Sequence, residues 1–269
     1  GFGGINLEDI SAPRCFEIER RLKDTLDIPV MHDDQHGTAV VILAALTNAL
    51  KLIKKQFGEV RVVVNGLGAA GTACCQILLA AGVSRLVGCG RLGIVLSGDP
   101  DTLRACRDNL AACMHPDRPT GTLQDALKGA DVFIGLSVAN VLRPEDLDVM
   151  AKDRIVFAMA NPDPEIAPEL AVSRCRVFAT GRSDYPNQIN NVLAFPGLFR
   201  GALDVQARDI NEAMELAAAQ AIADIIPEAT LSEDYIIPSV FDKQVVQRVS
   251  KAVAGAARAT GVARRLSKT

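Results

Sequence analysis

The 269-residue sequence predicts an α/β fold: a doubly wound, mostly parallel sheet with flanking helices and a helical C-terminal segment. Three observations carry this. Short, continuously apolar runs such as "EVRVVVN" (59–65) and "ADVFIGLS" (130–137) have the character of strands buried on both faces. They alternate with helical stretches, as repeated strand–helix–strand units require. From Asn191 onward the strand signal stops and helical periodicity takes over.

The elements follow in order. Ser11-Ala12-Pro13 opens a helix to about Leu26, with Ser11 as N-cap and proline in the first turn. A short buried strand occupies 28–31, and a long apolar helix runs from Ala39 to about Lys55. The strand at 59–65 enters "GLGAAG" (66–71), followed by a helix to about Ala81 and the strand "SRLVGC" (84–89). The more polar stretch at about 99–128 is expected to hold short helices. Strands follow at 130–137, 154–162 and 175–181, with a helix at 144–151 between the first two. The last third reads as helices over 191–205, 211–226 and 243–260.

Composition narrows the function. Apolar residues make up 49% of the chain and charged residues 23%, ordinary for a globular protein with a sizeable core. A net charge of −3 without a basic run gives no sign of nucleic-acid binding. No apolar run reads as long and uninterrupted enough to span a bilayer, so no membrane partner is expected. Seven cysteines, none in a Cys-x-x-Cys pair, fit buried thiols in a reducing cytoplasm, and none reads as a nucleophile. Gly1-Phe2-Gly3-Gly4 reads as an interior cut, which makes a fragment or processed chain the expectation.

The strongest chemical signal is Gly66-x-Gly68-x-x-Gly71, set between a strand and a helix. In that context the first glycine makes a tight turn, the second lets backbone approach a pyrophosphate, and the third lets helix and strand pack closely. The free N–H groups at the helix start then face the phosphates, which is Rossmann-like dinucleotide binding. The tip of the next strand reads Cys89-Gly90-Arg91, without the carboxylate that usually holds the ribose hydroxyls. Arg91 is suited to a 2′-phosphate, which favours NADP over NAD. Ser137 and Asn161 follow strands and fall where ligands bind in open α/β sheets, although Asn161-Pro162 is equally a turn signal.

The other signal is acidic. Glu8-Asp9 and Asp33-Asp34 are two carboxylate pairs joined by one helix, and the second lies inside "MHDDQHGT" (31–38). Such oxygen donors suit Mg²⁺ or Mn²⁺, but a solvated helix cap accounts for them as well. His32 and His36 are spaced i, i+4 but lack the glutamate of a zinc-protease helix, and they read as structural.

Five segments in this order, "FGGINLEDI", "IPVMHDDQHGTA", "VVNGLGAAG", "FAMANPDPEI" and "TGRSDYPNQINNVLAFPGLFRGALD", resemble the malic enzymes of the bacterial type. The resemblance covers nearly the whole chain and is weakest at about 91–128. It implies oxidative decarboxylation of L-malate to pyruvate and CO₂ with NAD or NADP and Mg²⁺ or Mn²⁺. It implies Glu8, Asp9 and Asp34 as metal ligands and Asp33 as the catalytic carboxylate. Asn161 and Asn191, with Asn190 close by, would meet the substrate, and Gly66, Gly68, Ala69, Ala70 and Gly71 would line the dinucleotide.

The family's catalytic lysine and tyrosine lie in a domain upstream of these ligands. The chain is therefore expected to be a C-terminal NAD(P)-binding portion, of little activity alone and homo-oligomeric when full length. Residues 1–36 would be a remnant of the substrate- and metal-binding region, and 37–269 the Rossmann domain with its C-terminal helices. Tyr185 and Tyr235 sit at no matching motif. Two other readings stand beside this one: a non-catalytic dinucleotide-binding module, and a malolactic enzyme releasing lactate.

Overall fold

A computed structural model describes residues 1–95 and 121–265. The chain runs β1 (Ile5–Leu7), α1 (Arg14–Thr25), β2 (Val30–His32), α2 (Asp33–Ile53), β3 (Arg61–Asn65), α3 (Ala69–Ala80), β4 (Arg85–Gly90) and β5 (Gly93–Ile94). It continues through α4 (Leu123–Leu127), β6 (Val132–Gly135), α5 (Pro144–Asp148), β7 (Ile155–Ala158), α6 (Pro168–Ala171) and β8 (Val177–Thr180). The helices α7 (Phe195–Asp204), α8 (Glu212–Ala223) and α9 (Gln244–Ala259) complete it. Of the polar stretch expected to hold short helices, α4 is seen, and residues 96–120 lie outside the described residues.

The main sheet has the order β5-β4-β3-β6-β7-β8, parallel except for the β4–β5 edge pair. Strand alternation splits the core in two. Val62, Val64, Ile134 and Phe157 face a layer of α2, α3 and the C-terminal helices. Val63, Phe133, Val156 and Phe178 face the opposite layer, with Leu127 of α4, Leu147 of α5 and Ala171 of α6. Both strand faces are therefore apolar, which is why these runs read as continuous rather than alternating. Each such side chain contributes about 1.5–3 kcal/mol by leaving water.

Helix α2 departs most from the expectation. It begins at Asp33, not Ala39, so "DDQHGT" is its first turn and a half. The aspartates occupy positions where free N–H groups and the helix dipole favour negative charge. At 21 residues α2 is also long and apolar enough to cross a bilayer by length and composition, which corrects the expectation that no segment is. Val40 to Leu46 are at most 3% exposed, because the sheet, α3 and α8 surround the helix, and an all-round apolar helix belongs in such a place. Ser11 does not cap α1. The helix starts at Arg14, and the Ser11 hydroxyl accepts a long bond from the Arg14 guanidinium (3.4 Å) rather than a backbone N–H.

Strand β1 was not expected. It pairs in parallel with β2, matching Leu7 with His32, and so carries Glu8 and Asp9 to the start of α2. At the other end of the chain, Gly201 of α7 lies against α9, where a Cβ would stand 2.5 Å from the Ser250 carbonyl oxygen.

Candidate active site

The sheet order reverses between β3 and β6, since β4 lies on one side of β3 and β6 on the other. The C-terminal ends of the two central strands open a crevice there, the usual ligand position in such sheets. The three glycines of the β3–α3 turn each meet their requirement. Gly66 has φ +99°, and a Cβ on it would come within 2.4 Å of the Leu136 carbonyl oxygen. Gly68 is the N-cap of α3 and faces open space, with nothing within 4 Å of where its Cβ would be. Gly71 packs on Gly66, whose carbonyl oxygen would be 1.8 Å from an added Cβ. Ala69 and Ala70 form the half-buried first turn of α3, so its free N–H groups point into the same opening.

Ser137 closes the crevice from the β6 side. Its hydroxyl accepts a hydrogen bond from Asn65 Nδ2 (2.8 Å). Arg91 is exposed at the tip of β4, and the edge hairpin to β5 leaves it beside this end of the sheet with no carboxylate neighbour in Gly90 or Leu92. Asn161 is exposed just beyond β7.

The acidic cluster sits where β1, β2 and α2 converge. Asp9 adopts φ +56°, and its N–H donates to Asp34 Oδ2 (2.8 Å), which ties the two carboxylate pairs together. Asn6 Nδ2 donates to Glu8 Oε2 (3.2 Å). Asp33 is 5% exposed, and its Oδ2 accepts from Asn191 Nδ2 (2.7 Å) across 158 residues of chain. Ile189 N–H bonds to the Thr180 carbonyl (2.9 Å), so the loop carrying Asn190 and Asn191 leaves from the end of β8. Asp33 thereby reaches the ligand edge of the sheet.

Its other oxygen, Oδ1, is buried without a hydrogen-bond partner. Burial, and then the negative charges of Glu8 and Asp34, push the Asp33 carboxyl up to about 7. A divalent cation held by those same neighbours would reverse that influence.

The donor set of Glu8, Asp9 and Asp34 beside Asp33 has the hard oxygen chemistry that Mg²⁺ or Mn²⁺ takes, and the orphaned Asp33 Oδ1 is the kind of atom such a site leaves. No three acidic, histidine or cysteine side chains converge into a closed metal cage among the described residues. Glu8 and Asp9 are exposed and Asp34 is half-exposed, so closure about an ion requires these side chains to move.

The two histidines of this segment differ in their surroundings. His36 lies between Glu19 (3.0 Å) and Glu215 (2.8 Å), linking α1, α2 and α8. Burial would pull its imidazolium down, but the carboxylates of Glu215 and Glu19 outweigh that and hold it up to about 10. His32 is fully buried, with Nδ1 4.0 Å from Asp34 Oδ2. Asn190 caps the short 3₁₀ turn that follows by accepting from the Val192 N–H (3.0 Å), while Asn191 alone of the pair bonds Asp33. The buried Cys74 and the half-buried Cys175 are thiols that desolvation pushes up to about 12, which removes them as nucleophiles.

Two further residues shape the site. Gly37, one turn after Asp33, makes room for its carboxylate, since a Cβ there would lie 1.9 Å from Asp33 Oδ1. A glycine four residues after a candidate catalytic aspartate, inside an apolar helix, is the sequence signal for it. Glu165 is completely buried and accepts N–H groups from Ser137 (2.9 Å) and Ala160 (3.0 Å). Its only sequence signal is an acid within a strand-end loop.

Comparison with known proteins agrees with this arrangement. The family profile described as malic enzyme, NAD binding domain, matches residues 109–260. An NAD-dependent malic enzyme of Geobacillus stearothermophilus is 61% identical over 98% of this chain and 55% of its own length. A bifunctional malic/malolactic enzyme of Bacillus subtilis is 55% identical, over 98% and 64% respectively. Among solved structures, malic enzyme from Pyrococcus horikoshii superposes with a TM-score of 0.94 at 48% identity, covering 99% of this chain and 64% of that one. The chain thus spans between about half and two thirds of the length of these relatives.

Proposed function

Because this chain belongs to the malic enzyme family, we propose that it is the dinucleotide- and metal-binding part of a decarboxylating malate dehydrogenase. The reaction is L-malate to pyruvate and CO₂ with reduction of NAD or NADP. The observation that carries this reading is the joining of Asp33 to Asn191 at the edge of the sheet where the glycine turn opens. That one hydrogen bond ties the acidic cluster to the loop leaving β8, at the same C-terminal edge of the sheet as the glycine turn.

Glu8, Asp9 and Asp34 are the residues to hold a divalent cation, which supplies polarisation of the substrate's oxygens when bound. The bound nicotinamide supplies hydride acceptance. The remaining work falls to the chain's own groups. The helix start at Gly68 to Gly71 binds the pyrophosphate through backbone N–H groups. Asn191 orients the Asp33 carboxylate, which moves a proton through its free Oδ1. Asn161 offers an amide to the substrate beyond β7, and Asn190 shapes the loop that carries Asn191.

The test is NAD(P)H formation by the full-length protein with malate and Mg²⁺ or Mn²⁺. Activity should vanish with chelator and fall at least about a hundredfold in Asp33→Asn. Turnover indifferent to both would refute the reading. Product analysis completes the test: pyruvate supports it, while lactate without net redox would assign the malolactic reaction, which the name of the Bacillus relative brings into question.

A further inference from the structure

The dinucleotide crevice is braced from below by a network the reaction itself does not use. Glu165, at 0% exposure, places one oxygen on the Ser137 N–H (2.9 Å) and the Ser137 hydroxyl (3.4 Å). Its other oxygen takes the Ala160 N–H (3.0 Å). Ser137 in turn accepts from Asn65 at the end of β3. One carboxylate therefore ties the ends of β6 and β7 together and reaches β3 through Ser137. Its backbone is fixed as well, since Leu142 N–H bonds to the Glu165 carbonyl (3.0 Å) and Asn140 N–H to that of Pro164 (3.1 Å).

Gly135 makes the space for it. A Cβ there would sit 2.3 Å from the Glu165 carboxyl carbon. A buried carboxylate carries a large desolvation cost, and a strand end could be closed by an apolar side chain without it. Three donors converging on one carboxylate fix backbone positions more sharply than apolar packing does.

The topology says which half of the ligand this serves. The glycine turn after β3 takes the pyrophosphate, and the tip of β4, with Arg91, lies on the adenosine side. The dinucleotide crosses the point where strand order reverses, so its other half runs over the ends of β6 and β7, where Ser137 and Asn161 flank Glu165. We infer that Glu165 is a positioning residue for the nicotinamide half of the dinucleotide, holding Ser137 and the Met159-Ala160 peptide, and with it the approach to Asn161, in place beneath it. This rests on the proposed dinucleotide-dependent function.

The experiment compares dinucleotide and half-ligand binding in the full-length protein. Glu165→Gln keeps the shape but turns an amide N–H₂ toward a backbone N–H. NADH and NADPH are titrated by fluorescence and ADP-ribose by calorimetry, against the parent and against Gly201→Ala, a destabilised control remote from the crevice. Glu165→Gln should weaken NAD(P)H at least tenfold and ADP-ribose less than threefold, while Gly201→Ala leaves both unchanged at a comparable loss of Tm. Equal weakening of NAD(P)H and ADP-ribose, or none, would overturn the assignment. A parent that binds neither NADH nor NADPH would overturn the dinucleotide reading itself, and this inference with it.

Discussion

Gly37→Ala should damage the site although it is a favourable change in most helices. At an ordinary helix interior position it gains about 1 kcal/mol. Here the new Cβ would stand 1.9 Å from Asp33 Oδ1 and 3.0 Å from its Cγ, so the carboxylate has to rotate away. Rotation off its well costs about 0.5–1.5 kcal/mol. It also gives up the 2.7 Å bond from Asn191, a charged hydrogen bond contributing about 1.5–3 kcal/mol. After subtracting the propensity gain, the net loss is about 1–3.5 kcal/mol, or roughly 2–14 °C in Tm for a chain of this size. The decisive arm is the Asp33→Ala background. With the carboxylate gone, the close contact left is Asn191 Cβ at 3.3 Å, so the same Gly37→Ala change should be nearly neutral, within about 1 kcal/mol either way. Thermal unfolding of the four proteins gives the coupling energy. Equal destabilisation in both backgrounds would refute the reasoning, because the clash would then lie with something other than Asp33.

Three further outcomes follow from the geometry. Gly68→Ala faces open space and should fold with Tm within about 2 °C of the parent while losing NAD(P)H binding, whereas Gly66→Ala, at φ +99° and against Leu136, should lose about 2–4 kcal/mol of stability as well. Arg91→Ala should raise KM for NADP about tenfold relative to KM for NAD, and an unchanged ratio of kcat/KM values would remove Arg91 from cofactor choice. The Glu19–His36–Glu215 cluster should shape stability against pH. Glu19 and Glu215 lie below their ordinary value near 4.5, despite burial, because of His36, so their contribution is present above that value and lost on acidification. His36 is raised to about 10, so its share is whole below its unfolded value near 6.5 and is lost as pH rises toward 10. Tm should therefore be highest between about 4.5 and 6.5, and His36→Gln should lower it there by at least about 4 °C and flatten the alkaline decline; an unaltered decline would place its cause elsewhere.

The sequence by itself determined the central parallel strands and the glycine turn. Both are local: the Arg61–Asn65 strand, the three glycines and the following helix are contiguous, and each glycine answers a steric demand of its immediate neighbours. The apolar runs of β6, β7 and β8 were legible for the same reason, since burial on both faces leaves no polar alternation to confuse them. The acidic pairs are visible as candidates, but spacing alone favours a capped turn over a metal site, and the first six residues of α2 are hidden because charge at a helix start resembles a loop.

Tertiary structure decided what those residues can do. A parallel pairing of β1 with β2 brings Glu8 and Asp9 to Asp34, and β1, only half-buried, lacks the apolar run that announces β2. The bond from Asn191 reaches Asp33 across 158 positions, a separation at which sequence periodicity carries no information. The same holds for His36 between two carboxylates on other helices, and for Glu165 under the crevice. Burial set the character of each of these groups, because an isolated charge loses its water only when the whole chain closes around it and must then find its partners wherever the fold has put them.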